Sequence, residues 1–301
     1  MVNIVYLVIA YKNLEQMIRL VNRLNAPNVQ FLIHIDKKTD EDYLTGAQQA
    51  LRDYPNCYFI KRETVYWGAW GLTQVSLNAI HYIEAHDLKC DFLIYMSGQD
   101  YPLQSNDRIH AFFENHQGKQ FLDHFTLPYE HWPGRGGLNR VELYHFQLGS
   151  KTLVYPPFAG RDSPPRLLKP IMPFFPFKPR KLPGGYRFYG GSAAIILARN
   201  GITYIDQFVK TDLGQRIVNF YTRTTNADEM FFQTVMMNSS LGNTIVNNEL
   251  RFTDWSKKGA HPEILTKHDY QCLKDSGHLF ARKFDVQVDA EILDLLDEGN
   301  D

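Results

Sequence analysis

The sequence predicts an α/β protein with a Rossmann-like, mostly parallel central sheet flanked by helices. Three observations predict it. Apolar runs of strand length alternate with helix-period segments through residues 1–100, the runs are apolar at nearly every position, and polar turns follow their carboxyl ends. Continuous apolar runs belong to strands covered on both faces, and strand–helix–strand repetition favours parallel pairing through right-handed crossovers. A chain of 301 residues suits one large domain of this kind.

Asn3 to Ala10 is the first strand, and Leu14, Met17, Ile18, Val21 and Leu24 recur behind it at helical spacing. Val29 to Ile35 is the second strand, ending at Asp36. A helix through Tyr43, Ala47 and Leu51 leads to a strand at Cys57 to Ile60. Leu72, Val75, Leu77, Ala79, Ile80 and Ile83 mark the next helix, and Asp91 to Met96 a strand that ends in Ser97-Gly98-Gln99-Asp100. From Leu127 to Pro183 the composition changes: nine of the fifteen prolines lie between Pro156 and Pro183, and residues 161–187 hold seven Lys/Arg against one acid, Asp162. Proline removes a backbone donor and breaks regular elements, so residues 127–184 read as an excursion that lies over the domain and shapes an acceptor site. Two short strands within Tyr186 to Leu197, a helix at Asn200 to Val209, a helix from Asn226, a strand at Thr244 to Leu250 and a mostly helical stretch from Thr266 to Phe284 follow. Residues 1–285 thus form a single domain, with a nucleotide-binding half at 1–126, the excursion at 127–184 and a catalytic and acceptor half at 185–285. Residues 286–301 read as a peripheral acidic tail.

Composition narrows the function. Lys plus Arg number 32 against 33 Asp plus Glu, for a net charge of -1. Binding nucleic acid by bulk charge needs a basic excess, so nucleic acid is not expected as a partner. Cys57, Cys90 and Cys272 are odd in number and far apart, which argues against a disulfide framework or structural zinc. The amino-terminal apolar run is too short to span a bilayer and lacks a basic flank, so the expected location is cytoplasmic. No G-x-G-x-x-G follows a strand, and G-x-x-x-x-G-K-[ST], G-x-S-x-G and H-E-x-x-H are absent, against a dinucleotide oxidoreductase, a P-loop enzyme, a serine hydrolase and a zincin. Asp40-Glu41-Asp42 reads as a helix cap at Asp40, and His81 and His86 as a surface helix, so no metal site is expected.

Ligands of parallel sheets bind beyond the carboxyl ends of the strands. That rule singles out Ala10-Tyr11-Lys12, His34-Ile35-Asp36 and Gly98-Gln99-Asp100. Asp36 can accept from a ribose or uracil group. Trp67 and Trp70, set among small residues, can stack on a ring or anchor the core. Gly190-Gly191-Ser192 lets backbone approach a ligand closely. Asn226 and Glu229 fit a capping box, and the same placement suits a general base held at a helix start. Arg282 and Lys283, between Phe280 and Phe284, can neutralise a departing diphosphate without a metal, or lay their stems on the core with their heads in water.

Eight segments in order resemble the core-2/I-branching enzyme family, which also holds the peptide O-xylosyltransferases (glycosyltransferase family 14). They are LVIAYKNLEQM, FLIHIDKK, VYWGAWGLTQVSLNAIHYI, DFLIYMSGQDYPL, FYGGSAAIIL, NADEMFFQTVMMNS, LRFTDW and LFARKFD, from about residue 4 to residue 285. The resemblance implies a GT-A type nucleotide-diphosphosugar transferase fold, inversion at the anomeric carbon and no divalent metal. It implies that Glu229 is the base, that Asp36 and Trp67 contact the uridine and that Lys283 grips the diphosphate; Ala10, at a strand's carboxyl end, and Arg282, beside Lys283, are expected with them on the nucleotide side. It places Asp100, Arg140, Glu142, Gly191, Ser192, Asp228, Arg251 and Trp255 on the acceptor or sugar side. The expected donor is a UDP-sugar, with GlcNAc favoured over xylose, and the expected acceptor a hydroxyl of a glycan or glycoconjugate, lipid-linked among the options. The alternative is a non-catalytic glycan-binding or scaffold protein on the same fold.

The sequence departs from the family at one cation. A second diphosphate arginine is implied some twenty residues before Lys283, where this chain reads GAHPEILTKHD. Arg282, His261 and Lys258 are the alternatives. The disulfides and membrane anchor of secretory members are not seen, which implies a bacterial-type cytoplasmic member acting in polysaccharide assembly. The basic stretch with Lys178, Arg180 and Lys181 suits peripheral contact with an anionic membrane.

Overall fold

The computed structural model describes residues 2–156, 178–257, 259 and 261–299. Most of the proline-rich stretch and Lys258 therefore lie outside the described residues. The strands are β1 (Ile4–Ala10), β2 (Val29–Ile35), β3 (Cys57–Phe59), β4 (Phe92–Ser97), β5 (Asp100–Pro102), β6 (Gln120–Leu122), β7 (Phe125–Thr126), β8 (Tyr144–Leu148), β9 (Lys151–Tyr155), β10 (Tyr189–Gly190), β11 (Ile195–Ala198), β12 (Ile245–Val246), β13 (Arg251–Thr253) and β14 (Phe280–Arg282). The main sheet runs β12-β6-β11-β4-β1-β2-β3, and only β11 is antiparallel to its neighbours. This is the mostly parallel sheet that the apolar runs predict, and every residue of β1 is buried.

Register decides where a ligand can sit. Ala10 pairs with Ile35, and Ile9 pairs with Ser97, so β1, β2 and β4 end level. Their following residues, Tyr11, Asp36 and Gly98, emerge on one edge. Two hydrogen bonds lock that edge: Asp36 N–H to Ala10 O at 3.0 Å and Gly98 N–H to Ile9 O at 2.8 Å. A second small sheet, β13-β14-β5, caps the end of β4 and sets Arg282 opposite Asp100.

Helices cover both faces. On one side α1 (Leu14–Leu24) and α2 (Glu41–Ala50) pack on the sheet, and the Asp40 carboxylate caps α2 by accepting from Tyr43 N–H at 2.8 Å, as its sequence predicts. On the other side α3 (Gly71–Ala85) packs with the helices Arg199–Phe208, Asp212–Tyr221 and Phe231–Met237. No helix among the described residues is long and apolar enough to cross a membrane. Cys57, Cys90 and Cys272 are free.

Four sequence readings change. The 127–184 stretch is not irregular throughout, because Tyr144–Leu148 and Lys151–Tyr155 pair as an antiparallel hairpin ahead of the prolines. Between Thr244 and Leu250 only Ile245–Val246 pairs, and Leu250 turns the chain at φ 56°. The Thr266 to Phe284 stretch is helical only to Asp275, because Gly277 at φ 70° releases the chain into the buried strand β14. The tail is not peripheral either. Residues Glu291–Glu298 form a helix whose Ile292, Leu293 and Leu296 sit in the core beside β1. Asp297 fastens it, accepting from Arg19 at 2.7 Å and from the Tyr101 hydroxyl at 2.8 Å.

A peripheral helix and a core helix answer differently to truncation. Leu296→Ala is expected to cost about 2–5 kcal/mol, the range for emptying a packed leucine site. A urea midpoint unchanged from the parent would show that the helix does not belong to the core.

Candidate active site

The donor side is built at the level edge of β1, β2 and β4. Asp36 is nearly buried just past β2, where one carboxylate oxygen accepts from Lys38 N–H at 2.9 Å and Val65 N–H at 3.4 Å. His34, two residues earlier, is held neutral: burial lowers its pKa to about 4, and its Nε2 accepts from Glu63 N–H at 2.9 Å. This bond pulls the 61–65 loop against Asp36. The loop then turns through Gly68 at φ 70° and leaves Trp67 70% exposed, its indole edge-on to His261 at 6.2 Å. Trp70 faces the other way, edge-on to Phe231 in the core. Trp67 is thus free to stack, while Trp70 is anchored against Phe231 and keeps part of its ring at the surface. Ala10 has a buried side chain, and its carbonyl accepts from Asp36 N–H.

Cations converge beside this edge. Lys12 pairs with Asp285 at 2.7 Å, and Arg282 Nε lies 3.5 Å from Asp100. Among the described residues no carboxylate lies within ion-pair distance of Lys283. Burial, then the fields of Arg282 and Lys12, pushes the Lys283 ammonium below its ordinary pKa. Such a site favours an incoming anion, which offsets repulsion among the three cations. Lys12 was legible only as a residue after a strand. Of the alternatives for the missing arginine, Arg282 joins this group and His261 lies against Trp67, while Lys258 is outside the described residues.

Glu229 stands on a rigid turn. Asn226 is left-handed at φ 51°, a 3-10 turn covers Ala227–Glu229, and the α-helix starts only at Phe231. The capping box therefore does not form: a cap needs Asn226 extended with its side chain on the backbone, and instead its amide reaches Glu229 Oε1 at 3.4 Å. Two bonds pin the turn, Asn226 N–H to Gly68 O at 2.7 Å and Gly191 N–H to Glu229 O at 2.8 Å. The carboxylate is about 30% exposed and is ion-paired with Arg140, whose guanidinium lies 3.9 Å from the Trp132 ring centroid. Next to it, burial and then the Glu229 charge push Asp228 up to about 7, and the fields of Arg140 and Arg282 reach it.

Several residues expected on the sugar or acceptor side do other work. Asp100 and Arg251 have fully buried side chains 3.4 Å apart, and Arg251 donates to Tyr95 O, so neither meets a substrate. Gly191 is needed against the protein itself, since a Cβ there would lie 1.8 Å from Asp123 O. Glu142 pairs with Arg135 at 2.7 Å rather than joining Glu229. Arg180 is no surface cation: it is buried, donates to Leu143 O and Arg223 O, and burial lowers its pKa to about 10. Burial pushes the carboxyl of Glu249, a group the sequence reading missed, above its ordinary pKa, and Trp255 is 52% exposed just beyond β13. Glu249 directly precedes LRFTDW, and only that adjacency could have flagged it. Among the described residues no group of three His, Cys, Asp or Glu is placed to hold a metal.

The family model of the Core-2/I-Branching enzyme matches residues 4–272, and the chain belongs to that family. It is 26% identical over 321 residues to human xylosyltransferase 2, covering 98% of this chain and 33% of that protein. It is 27% identical over 289 residues to mouse xylosyltransferase 1, covering 89% of this chain and 27% of that protein. The chain thus spans about a third or less of the length of these curated relatives. The crystal structure of mouse xyloside xylosyltransferase 1, apo form, covers 92% of this chain and 97% of its own at 13% identity, with a TM-score of only 0.39.

The raised Asp228 pKa has a sign that can be checked. Its folded value of about 7 lies above its ordinary 3.8, so above pH 7 the fold carries a buried charge that the unfolded chain solvates. Asp228→Asn is expected to stabilise the protein most at pH 8, by at most roughly 4 kcal/mol, with the gain shrinking as pH falls toward 4. Denaturant midpoints at pH 5 and pH 8 check this; a gain that does not vary with pH contradicts it.

Proposed function

We propose that this chain is an inverting glycosyltransferase that moves a sugar from a UDP-sugar to a hydroxyl of a glycan or glycoconjugate. The observation that carries the reading is the pairing of a pinned, partly exposed Glu229 with a cation group whose Lys283 lacks a carboxylate partner among the described residues. Glu229 removes the proton of the acceptor hydroxyl as its oxygen bonds to the anomeric carbon. The bond from that carbon to the diphosphate breaks on the opposite face, and the electron pair leaves with UDP. Lys283, Arg282 and Lys12 take up the charge that grows there, fixed in place before the reaction begins. No metal is needed in this scheme. Asp36 and Trp67 serve the uridine, and Trp255 offers a face to the acceptor sugar. Xylose and GlcNAc are the donors to test, and the names of the relatives bring xylose to the front.

UDP release from UDP-xylose and UDP-GlcNAc tests the reading. Glu229→Gln is expected to lose about 10²–10⁴ in turnover with UDP affinity near that of the parent, because the base acts on the acceptor. Lys283→Ala is expected to weaken UDP binding itself. Turnover is expected to survive EDTA. Turnover that survives Glu229→Gln, or that EDTA abolishes and Mn²⁺ restores, contradicts the mechanism; UDP binding without turnover in the parent favours the glycan-binding alternative.

We place the protein at the cytoplasmic face of a membrane, acting on a lipid-linked acceptor. Lys178 and Lys181 are exposed, and Phe146, Leu148 and Leu153 are exposed on one face of the β8–β9 hairpin. Sedimentation with anionic vesicles is expected to fall in the Lys178→Ala/Lys181→Ala variant; unchanged sedimentation removes the membrane from the account.

A further inference from the structure

A cavity of about 510 Å³ lies beside the 61–66 loop, next to the level edge of β1, β2 and β4. Its wall combines the 61–71 loop, the first turn of α3, the 222–224 segment and the β8–β9 hairpin. Its size falls within the ordinary range for small-ligand sites, roughly 300–1,000 Å³. It borders the base: Gly68, in the wall, accepts from Asn226 N–H, and Asn226 reaches Glu229 through its amide.

The hairpin carries the argument. A two-stranded ribbon on a protein body normally turns its apolar face inward and its polar face to water. Here the order is reversed. His145, Gln147 and Thr152 line the cavity, while Phe146, Leu148 and Leu153 are exposed. The apolar face is thus turned outward, where the proposed membrane contact lies, and the polar face is turned toward the cavity between hairpin and body. The polar groups are already oriented: Thr152 donates to Gln147 Oε1 at 2.9 Å, and the Trp70 indole N–H donates to Gln74 at 3.0 Å.

Charge selects the ligand class. Among the described residues, Lys61 and Glu63 are the charged side chains of the wall, and they pair at 2.8 Å. Burial holds His145 below its ordinary pKa, so it is neutral at pH 7, and its ring bonds to Asn139 O at 3.2 Å. An anion or cation would therefore find no net counter-charge. The amides of Gln147 and Gln74 already have partners, Gln147 in Thr152 and Gly149 O and Gln74 in Trp70 and Asn78, and their remaining lone pairs and N–H groups suit a ligand rich in hydroxyls better than an apolar one. A neutral polyol with flat apolar faces meets both the amides and the rings of Trp70 and Tyr66.

We propose that this cavity is a subsite for the non-reacting end of a neutral oligosaccharide acceptor. The inference rests on the reading of the acceptor as a glycan. It assigns Gln147, Thr152 and Gln74 as hydrogen-bonding groups beside the Trp70 and Tyr66 rings.

Calorimetric titration of the full chain with N-acetylchitotriose, xylotriose and trigalacturonate tests it. At least one of the two neutral trisaccharides is expected to bind, and to bind at least about tenfold more tightly than the anionic one. Gln147→Leu/Thr152→Val is expected to weaken that binding at least about tenfold and to leave UDP binding unchanged. Thr152→Trp, which narrows the cavity from the solvent-exposed hairpin, is expected to do the same and serves as the second variant if the first does not fold. Binding of neither neutral trisaccharide, binding indifferent to the variants, or preference for trigalacturonate overturns the proposal. Titration does not depend on turnover, so failure of the transferase reading appears separately, as full turnover in Glu229→Gln.

Discussion

A fully buried carboxylate, Asp100, holds the cation side of the site together. It opens β5, three residues past the end of β4, where the small sheet meets the edge of the main one. One oxygen accepts from Ser97 N–H at 2.8 Å, and its oxygens lie 3.4 Å from Arg251 and 3.5 Å from Arg282, on β13 and β14. Three strands of the small sheet are thereby tied by charge as well as by their ladder. Removing one member of such a buried set leaves uncompensated charge, at a cost of about 3–5 kcal/mol. Lys283 follows Arg282 in the chain, so the position of the free cation depends on this buried one.

The opposite side of the site is fixed by backbone instead of charge. Gly68 and Gly191 each supply one hydrogen bond to the turn that carries Glu229. Gly191 tolerates no side chain, and Gly68 is left-handed, so both glycines are set by the turn they hold. A catalytic group needs a support of this stiffness, because small misplacements of a base cost rate steeply. Arg140, stacked on Trp132, then orients the carboxylate itself.

The sheet was legible because covered parallel strands are apolar throughout, as β1, β2 and β4 are. A place at the carboxyl end of a strand made Asp36 a candidate, and the family resemblance strengthened Glu229 and Lys283 over their structural readings. Asp100 and Arg251 misled because a buried charge and a substrate-facing charge look alike in sequence; only their mutual pairing separates them. The left-handed Asn226 is set by its long-range contact with Gly68, which local spacing does not encode. The final helix escaped because its acidic face dominates its composition, while Ile292, Leu293 and Leu296 form a narrow stripe. The hairpin hid behind its neighbours' prolines, and its reversed faces do not follow from alternation alone.

The account stands or falls on attack from the face opposite the departing diphosphate. Proton NMR of the first transfer products, formed from a UDP-α-sugar and a p-nitrophenyl glycoside acceptor, reads that geometry directly. A newly formed β linkage, with its large anomeric coupling, is the result predicted for a single displacement with Glu229 as base. An α linkage, retaining the donor configuration, would contradict it.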